Sequence, residues 1–407
     1  RDPLRPELHG QFARNRILER ASLGFDVQAG PLAAGLSGVR DGIYRHDSEF
    51  KNGRVIPKQD FLVLLNESGI RVEQSYAELQ TKYARLSVGR IYRNWGPPHT
   101  PGFLLSDYAY SWNQVGWRIG SDKLFATGLF TSFNDFPGDT TRYFAVHRLE
   151  WRARPNLMLA VSESIVEGGP NAKLDFRLLN PIGPWQLTTK ESEEKRNNAG
   201  ELDAWWRPVN GLALSGSFMA GSGTSFFQKT DKVCCQFAGT VGIEMPGIAR
   251  GWSLRLQGTA LQSLVYRTLL PWEQYTVDGV GLGWDKGDLR LGTIEATWLG
   301  GHGLVLKPRI DIQEKGTGDF HGRLRPPPDS IPGYPTIIVG QAETTIRPAL
   351  SGEWHRQIGS GWTVDMNWDV GVDFIRGYQH VKGRNATALV GLFRVMIRTP
   401  RFLFGLD

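Results

Sequence analysis

The sequence predicts an all-β fold: an antiparallel transmembrane β-barrel of about 16 to 18 strands that takes up 1–407 as one domain. Three observations lead there. Several segments alternate apolar and polar residues with period two over more than the usual strand length. Strands come in pairs joined by short turns, and long polar or Gly/Pro-rich connections separate the pairs. The composition is also wrong for a water-soluble core, since only 40% of the 407 residues are hydrophobic and 49 are Gly, while 14 Trp, 20 Phe and 11 Tyr exclude ordinary disorder. No window approaches the roughly 18 unbroken apolar residues of a membrane helix. Strands with one face on lipid and the other on a polar lumen need few aliphatic residues.

Each element follows from the same reading. About 17 strands are countable and an even number returns both ends to one side, so either residues 1–19, read as a first strand or the remnant of a plug, or sequence upstream of Arg1 supplies one more. Short turns fall near Gly30, Gln80 to Lys82, Ser121 to Asp122, Arg154 to Asn156, Pro208 to Gly211, Pro246 to Arg250, Gly300 to Gly303 and Gln357 to Gly361. Long connections lie near 44–68, 93–114, 134–142, 168–200, 222–235, 265–288, 315–340 and 378–385, and they are expected to face the cell exterior and obstruct the lumen. Trp252, Leu254, Leu256 and Ala260 alternate with Ser253, Arg255, Gln257 and Thr259, whereas 289–299 loses phase and is expected to hold a bulge. Leu304, Leu306, Ile310 and Ile312 alternate with Val305, Lys307, Arg309 and Asp311. The set Glu343, Thr345, Arg347 and Ser351 faces away from Ile346, Leu350 and Trp354. The longest run sets Trp362, Val364, Met366, Trp368, Val370, Val372 and Phe374 against Thr363, Asp365, Asn367, Asp369, Gly371 and Asp373.

The polar sets are assigned to the lumen: Arg255, Lys307, Arg309, Arg347, Asp365 and Asp369, joined by Arg85, Arg148 and Arg152. Mixed signs there mean cross-strand pairing before they mean a selectivity path. Trp151, Trp252, Trp362 and Trp368 are placed in the aromatic girdles at the membrane interfaces.

Other functions lose ground on the same residues. The net charge of +6 comes from 47 basic and 41 acidic residues that are interleaved without a basic block, so nucleic acid is not an expected partner. Cys234 and Cys235 are adjacent, which makes neither a metal site nor a framework of long-range disulfides, and no cofactor is expected. Gly221-Ser222-Gly223-Thr224-Ser225 lacks the Lys of a phosphate loop. The chain starts at Arg1 with no Met or apolar leader, which fits a processed, exported protein and a trimmed chain equally, so export is argued from the strand pattern. Pairing across the turn at Arg154 can set His147 opposite Ser162, the start of a hydrolase site on the outer wall. No third residue orients that pair, so the chain is read as non-enzymatic.

Three stretches are more particular than composition explains: Gly89-Arg90 with Asn94-Trp95-Gly96-Pro97 and Leu104-Leu105-Ser106-Asp107; His147-Arg148-Leu149-Glu150-Trp151 with Ser162-Glu163-Ser164; and Leu174-Asp175 with Leu179-Asn180-Pro181. In this order, from Glu78 to Glu314, they resemble the capsule assembly Wzi family. The resemblance implies a monomeric barrel in the cell outer membrane, closed by loops and a periplasmic-side helical plug, that acts as a surface lectin holding capsular polysaccharide. Independently, rigid rings with polar neighbours on long connections suit sugar faces and hydroxyls. The expected polysaccharide contacts are Trp95, Tyr108, Tyr110, Trp112, Trp185, Trp272 and Tyr275. The competing expectations are a porin-type channel and a scaffold for envelope protein partners, with outer-membrane lipid around the wall in every case.

Overall fold

The structure is a computed structural model that describes residues 5–13, 16–42, 62–64, 68–108, 111–134, 136, 139–180, 196–222, 236–268, 270–277, 279–318, 337–359 and 362–398. In chain order the strands are β1 (Arg5–Ala13), β2 (Arg16–Ala29), β3 (Leu32–Gly42), β4 (Leu62–Leu64), β5 (Ser68–Gln80), β6 (Ala84–Ile91), β7 (Trp112–Gly120), β8 (Leu124–Phe133), β9 (Thr140–Arg154), β10 (Leu157–Pro170), β11 (Arg196–Val209), β12 (Leu212–Ser222), β13 (Gln236–Ala249), β14 (Trp252–Leu261), β15 (Thr276–Val277), β16 (Val280–Gly281), β17 (Leu289–Leu299), β18 (Leu304–Lys315), β19 (Glu343–Ile358), β20 (Trp362–Arg376) and β21 (Asn385–Arg398). A 19-stranded antiparallel sheet contains all of these but β15 and β16, which form a two-stranded hairpin of their own. Within the sheet β4 is a three-residue rider on β5. The remaining eighteen described strands form a ring that closes where β1 pairs with β21, from Glu7 opposite Met396 to Ala13 opposite Val390. Residues 1–19 thus contribute a strand, β1, and part of another, β2.

Period two decides the facing. Phe25, Val88, Leu149, Val161, Leu202, Val241, Ile310, Leu350, Val370 and Leu389 are all exposed on the outer wall, as an apolar band against lipid requires. Trp151, Trp206, Trp252 and Trp362 are exposed near the strand ends that the short turns join, which is the position of a girdle. Trp368 departs from the girdle expectation. It sits mid-strand opposite Gly352, where a Cβ would overlap its ring. The same cross-strand partnership recurs with Trp117 over Gly128 and Tyr76 over Gly35. Rings that cover glycines of the neighbouring strand restore the packing that Gly forgoes. This accounts for part of the joint excess of Gly and aromatics.

The bulge expected in 289–299 is absent. The β14–β17 register runs unbroken from Leu261 opposite Leu289 to Trp252 opposite Trp298. The register shifts that do occur lie between Ser37 and Gly38, and beside the turns near Leu157, Val209 and Ala249. Phase is lost on β17 for another reason: Leu289 is buried and Leu291 packs on the same apolar cluster inside the barrel, so part of the inner face is itself apolar.

Candidate functional site: the filled lumen and its outer mouth

The cluster that Leu289 joins is made by two long connections folded into the barrel. Residues 95–108 contribute Phe103, Leu104 and Leu105, and residues 264–284 contribute Val265, Tyr266, Tyr275, Leu282 and Trp284, all buried. They pack against the inner faces of β7 to β14 through Trp112, Leu129, Phe133, Phe144, Val146, Val166, Met219, Ala238 and Leu261. Phe103 stacks on Trp284 with centroids 5.9 Å apart, and Tyr108 leans on the same ring at 5.5 Å. The two loops are also tied to each other. The Tyr266 hydroxyl donates to the Phe103 carbonyl at 2.6 Å, the Ser106 amide donates to the Leu282 carbonyl at 2.9 Å, and the Ser106 hydroxyl reaches Gly283 O.

Buried charges on the wall hold this plug. Glu201, 1% exposed, accepts the Phe103 amide at 2.8 Å, the Leu104 amide at 2.9 Å and the Ser217 hydroxyl at 2.6 Å. A carboxylate that accepts several N–H bonds in a dry site is strongly coupled to the backbone it holds. Arg148 pairs with Asp203 and donates to the Trp95 carbonyl at 2.6 Å. Arg142, fully buried, donates to the carbonyls of Trp272 at 2.8 Å, Thr276 at 2.9 Å and Gln274. Asn94 shapes the proline-rich loop, accepting from Gly102 at 2.9 Å and Gly96 at 3.2 Å. Arg255 donates to His99 O, so the loop tip reaches the end of the barrel where β14 begins.

The motif stretches have structural roles in this assembly. Arg148, Glu150, Ser162 and Ser164 face inward and are buried. Ser164 shares a hydrogen bond with the Tyr275 hydroxyl at 2.8 Å. His147 is opposite Glu163, not Ser162, which pairs with Arg148. The register is one residue away from the hydrolase arrangement, and His147 bonds Glu163 at 3.0 Å on the outer wall. Asp175 caps a 3-10 turn whose Leu178 packs on Ala145 and Ile165. Partial burial works against ionisation of Asp175, but hydrogen bonds from Arg177 and Arg196 hold its carboxyl down to about 2.

These placements revise the expected sugar contacts. Trp112, 8% exposed and edge-on to Phe133, and Tyr275, 0% exposed, are packing residues and offer no face to a ligand. Trp95 is half-buried against the plug core. The connection that carries it turns down into the lumen instead of outward, because Arg148, Glu201 and Arg255 supply polar partners there. Tyr108 and Trp272 are half-buried in connections that return to the outer mouth. Tyr110 and Trp185 lie outside the described residues, as do Cys234 and Cys235. Sequence reasoning passed over Tyr378, which stands on the β20–β21 connection with the Arg384 guanidinium 5.2 Å from its ring. It also passed over Arg142, Glu201 and Asp288. The buried Asp288 carboxylate accepts the amides of Ile338 at 2.8 Å, Gly318 at 2.9 Å and Val339 at 3.0 Å.

On the opposite wall the inward set forms a charge lattice. Arg309 bonds Asp311 at 2.9 Å and Asp369 at 3.1 Å, Arg347 reaches Asp369 at 3.4 Å and Asp373 at 3.8 Å, and Asp365 takes Arg398 at 3.1 Å. Lys307 pairs with Glu353. On the plug side, Arg255 lies 3.9 Å from Glu244.

No protein-family model and no curated protein matches the sequence. Solved structures do match its fold. Wzi of Escherichia coli, an outer membrane protein involved in group 1 capsule assembly and described as a carbohydrate-binding β-barrel, superposes with a TM-score of 0.67 at 12% identity over 98% of this chain and 85% of that one. OccK3 (OpdO) of Pseudomonas aeruginosa gives 0.52 at 10% identity over 97% and 93%. The class is therefore an outer-membrane β-barrel, here with its lumen part-filled by its own loops. At these identities the likeness is one of fold.

Proposed function

We propose that this barrel holds an exported surface polysaccharide at its outer mouth, without chemical turnover. The observation that carries the reading is the filled lumen. Loops from the outer side are locked by Glu201, Arg148 and Arg142 against β7 to β14, so that half of the barrel presents a fixed, ring-bearing surface instead of a pore. The fold likeness to a carbohydrate-binding barrel supports the same reading. Tyr108, Trp272 and Tyr378 are the proposed sugar contacts among the described residues, with Trp185 and Tyr110 kept from the sequence. Weak single contacts suffice because a polymer presents many repeats. Cell-bound and released polysaccharide should be compared in wild-type, deletion and Tyr108→Ala/Trp272→Ala/Tyr378→Ala cells. Shedding with an intact barrel supports the function. Full retention in the deletion strain overturns it, and retention in the loop variant alone overturns the residues.

A channel is the second reading, favoured by the half-exposed charge lattice on β18 to β20, which the described plug loops leave uncovered. Steady ion-selective current in planar bilayers would establish it. A scaffolding role predicts instead that envelope proteins co-purify with the barrel.

A further inference from the structure

The described plug residues do not fill the turn-side end of the barrel. A cavity of 540 Å³ opens there between the loop tip at Pro98 and the wall, lined by Asp122, Lys123, Arg152, Arg154, Met158 and Trp205 among others. That volume is within the range of small-molecule sites, roughly 300–1,000 Å³. Its chemistry is one-sided. Lys123 and Arg154 make no ion pair among the described residues. Arg152 is half-exposed and engages Glu150 through Nε at 2.9 Å, which leaves the outer edge of its guanidinium for another acceptor. The carboxylate on the lining, Asp122, stands fully in solvent 3.8 Å from Arg118. Trp205, Met158 and Pro98 line the same cavity and give it an apolar share of wall. Guanidinium groups recognise carboxylates in two-point fashion, and a ring beside them takes the C–H face of a sugar.

We infer that this turn-side cavity is a binding site for a carboxylate-bearing oligosaccharide, seated on Trp205 and held by Lys123, Arg152 and Arg154, with the plug tip as one wall. The choice of a saccharide rests on the polysaccharide reading, whereas the preference for an acidic ligand rests on the cavity. The site is at the opposite end of the barrel from Tyr108, Trp272 and Tyr378, so the two can fail separately.

The test is titration calorimetry of the detergent-solubilised full chain with a galacturonic acid trimer, with its neutral methyl ester and with inorganic phosphate. Wild type should bind the trimer at least tenfold more tightly than the ester, and the Lys123→Ala/Arg152→Ala/Arg154→Ala variant should lose that preference. Trp205→Ala should weaken trimer and ester together. Retained heat-modifiable gel mobility certifies the fold, and if the triple variant lacks it, Arg154→Glu alone should still lower trimer affinity. Equal binding of trimer and ester, an unaffected cation variant, or phosphate binding as tight as that of the trimer would overturn the assignment.

Discussion

Glu201 shows how much one side chain decides. Its two oxygens hold consecutive amides of a loop about a hundred positions earlier in the chain. Hydrogen bonds to a charged group are worth about 1.5–3 kcal/mol each, and removing the acceptor leaves buried N–H groups unsatisfied. Glu201→Ala should therefore speed amide exchange at Phe103 and Leu104 by at least tenfold while the strands stay protected. Glu273 makes the plug sensitive to pH. Burial raises its carboxyl to about 8 from 4.5 in the free side chain. Between those values the undocked loop sheds a proton that the docked loop keeps, so docking is fully favoured below about 4.5, weakens as pH rises toward 8 and levels off above it. Exchange at residues 270–277, corrected for intrinsic rates, should follow that slope in wild type and lose it in Glu273→Gln.

At the scale of elements, β20 carries the sharpest test of facing. Val370 is on the outer wall and Asn367 on the inner. Val370→Arg should cost about 2–4 kcal/mol near mid-bilayer, and Asn367→Arg much less, as read by unfolding in urea with refolding into lipid. Equal costs would contradict the facing. The Gly352 and Trp368 partnership predicts a second asymmetry: Gly352→Val displaces the indole it underlies and should slow barrel folding, whereas Gly301→Val, in open space on a turn, should not.

For the whole molecule, the plug and the charge lattice occupy opposite walls, so conductance separates the two readings. Wild type should pass little or no steady current in planar bilayers. Arg142→Ala/Glu201→Ala, which unlocks both loops from the wall, should raise it severalfold without changing the outer-membrane location. Large wild-type current unchanged by those substitutions would favour the channel.

Which parts could be read in advance follows from what each strand faces. β18, β19 and β20 show clean period two because their inner faces meet the charge lattice and their outer faces meet lipid. On β8 to β10 the inner face meets the plug, so Leu129, Phe144, Val146 and Val166 are apolar on the side where polarity was expected, and the alternation fades. The Asn94, Arg148 and Ser162 motifs were visible as patterns, but their purpose is to seat a loop, which no spacing along the chain reveals. The sequence by itself determined the barrel, its turn side and its lipid face, because alternation and turn residues act locally. Only the tertiary structure decided that the β6–β7 and β14–β17 connections fold inward and that Trp112 and Tyr275 are packing residues. Those outcomes depend on buried partners, Glu201, Arg142 and Arg148, that meet the loops across long stretches of chain.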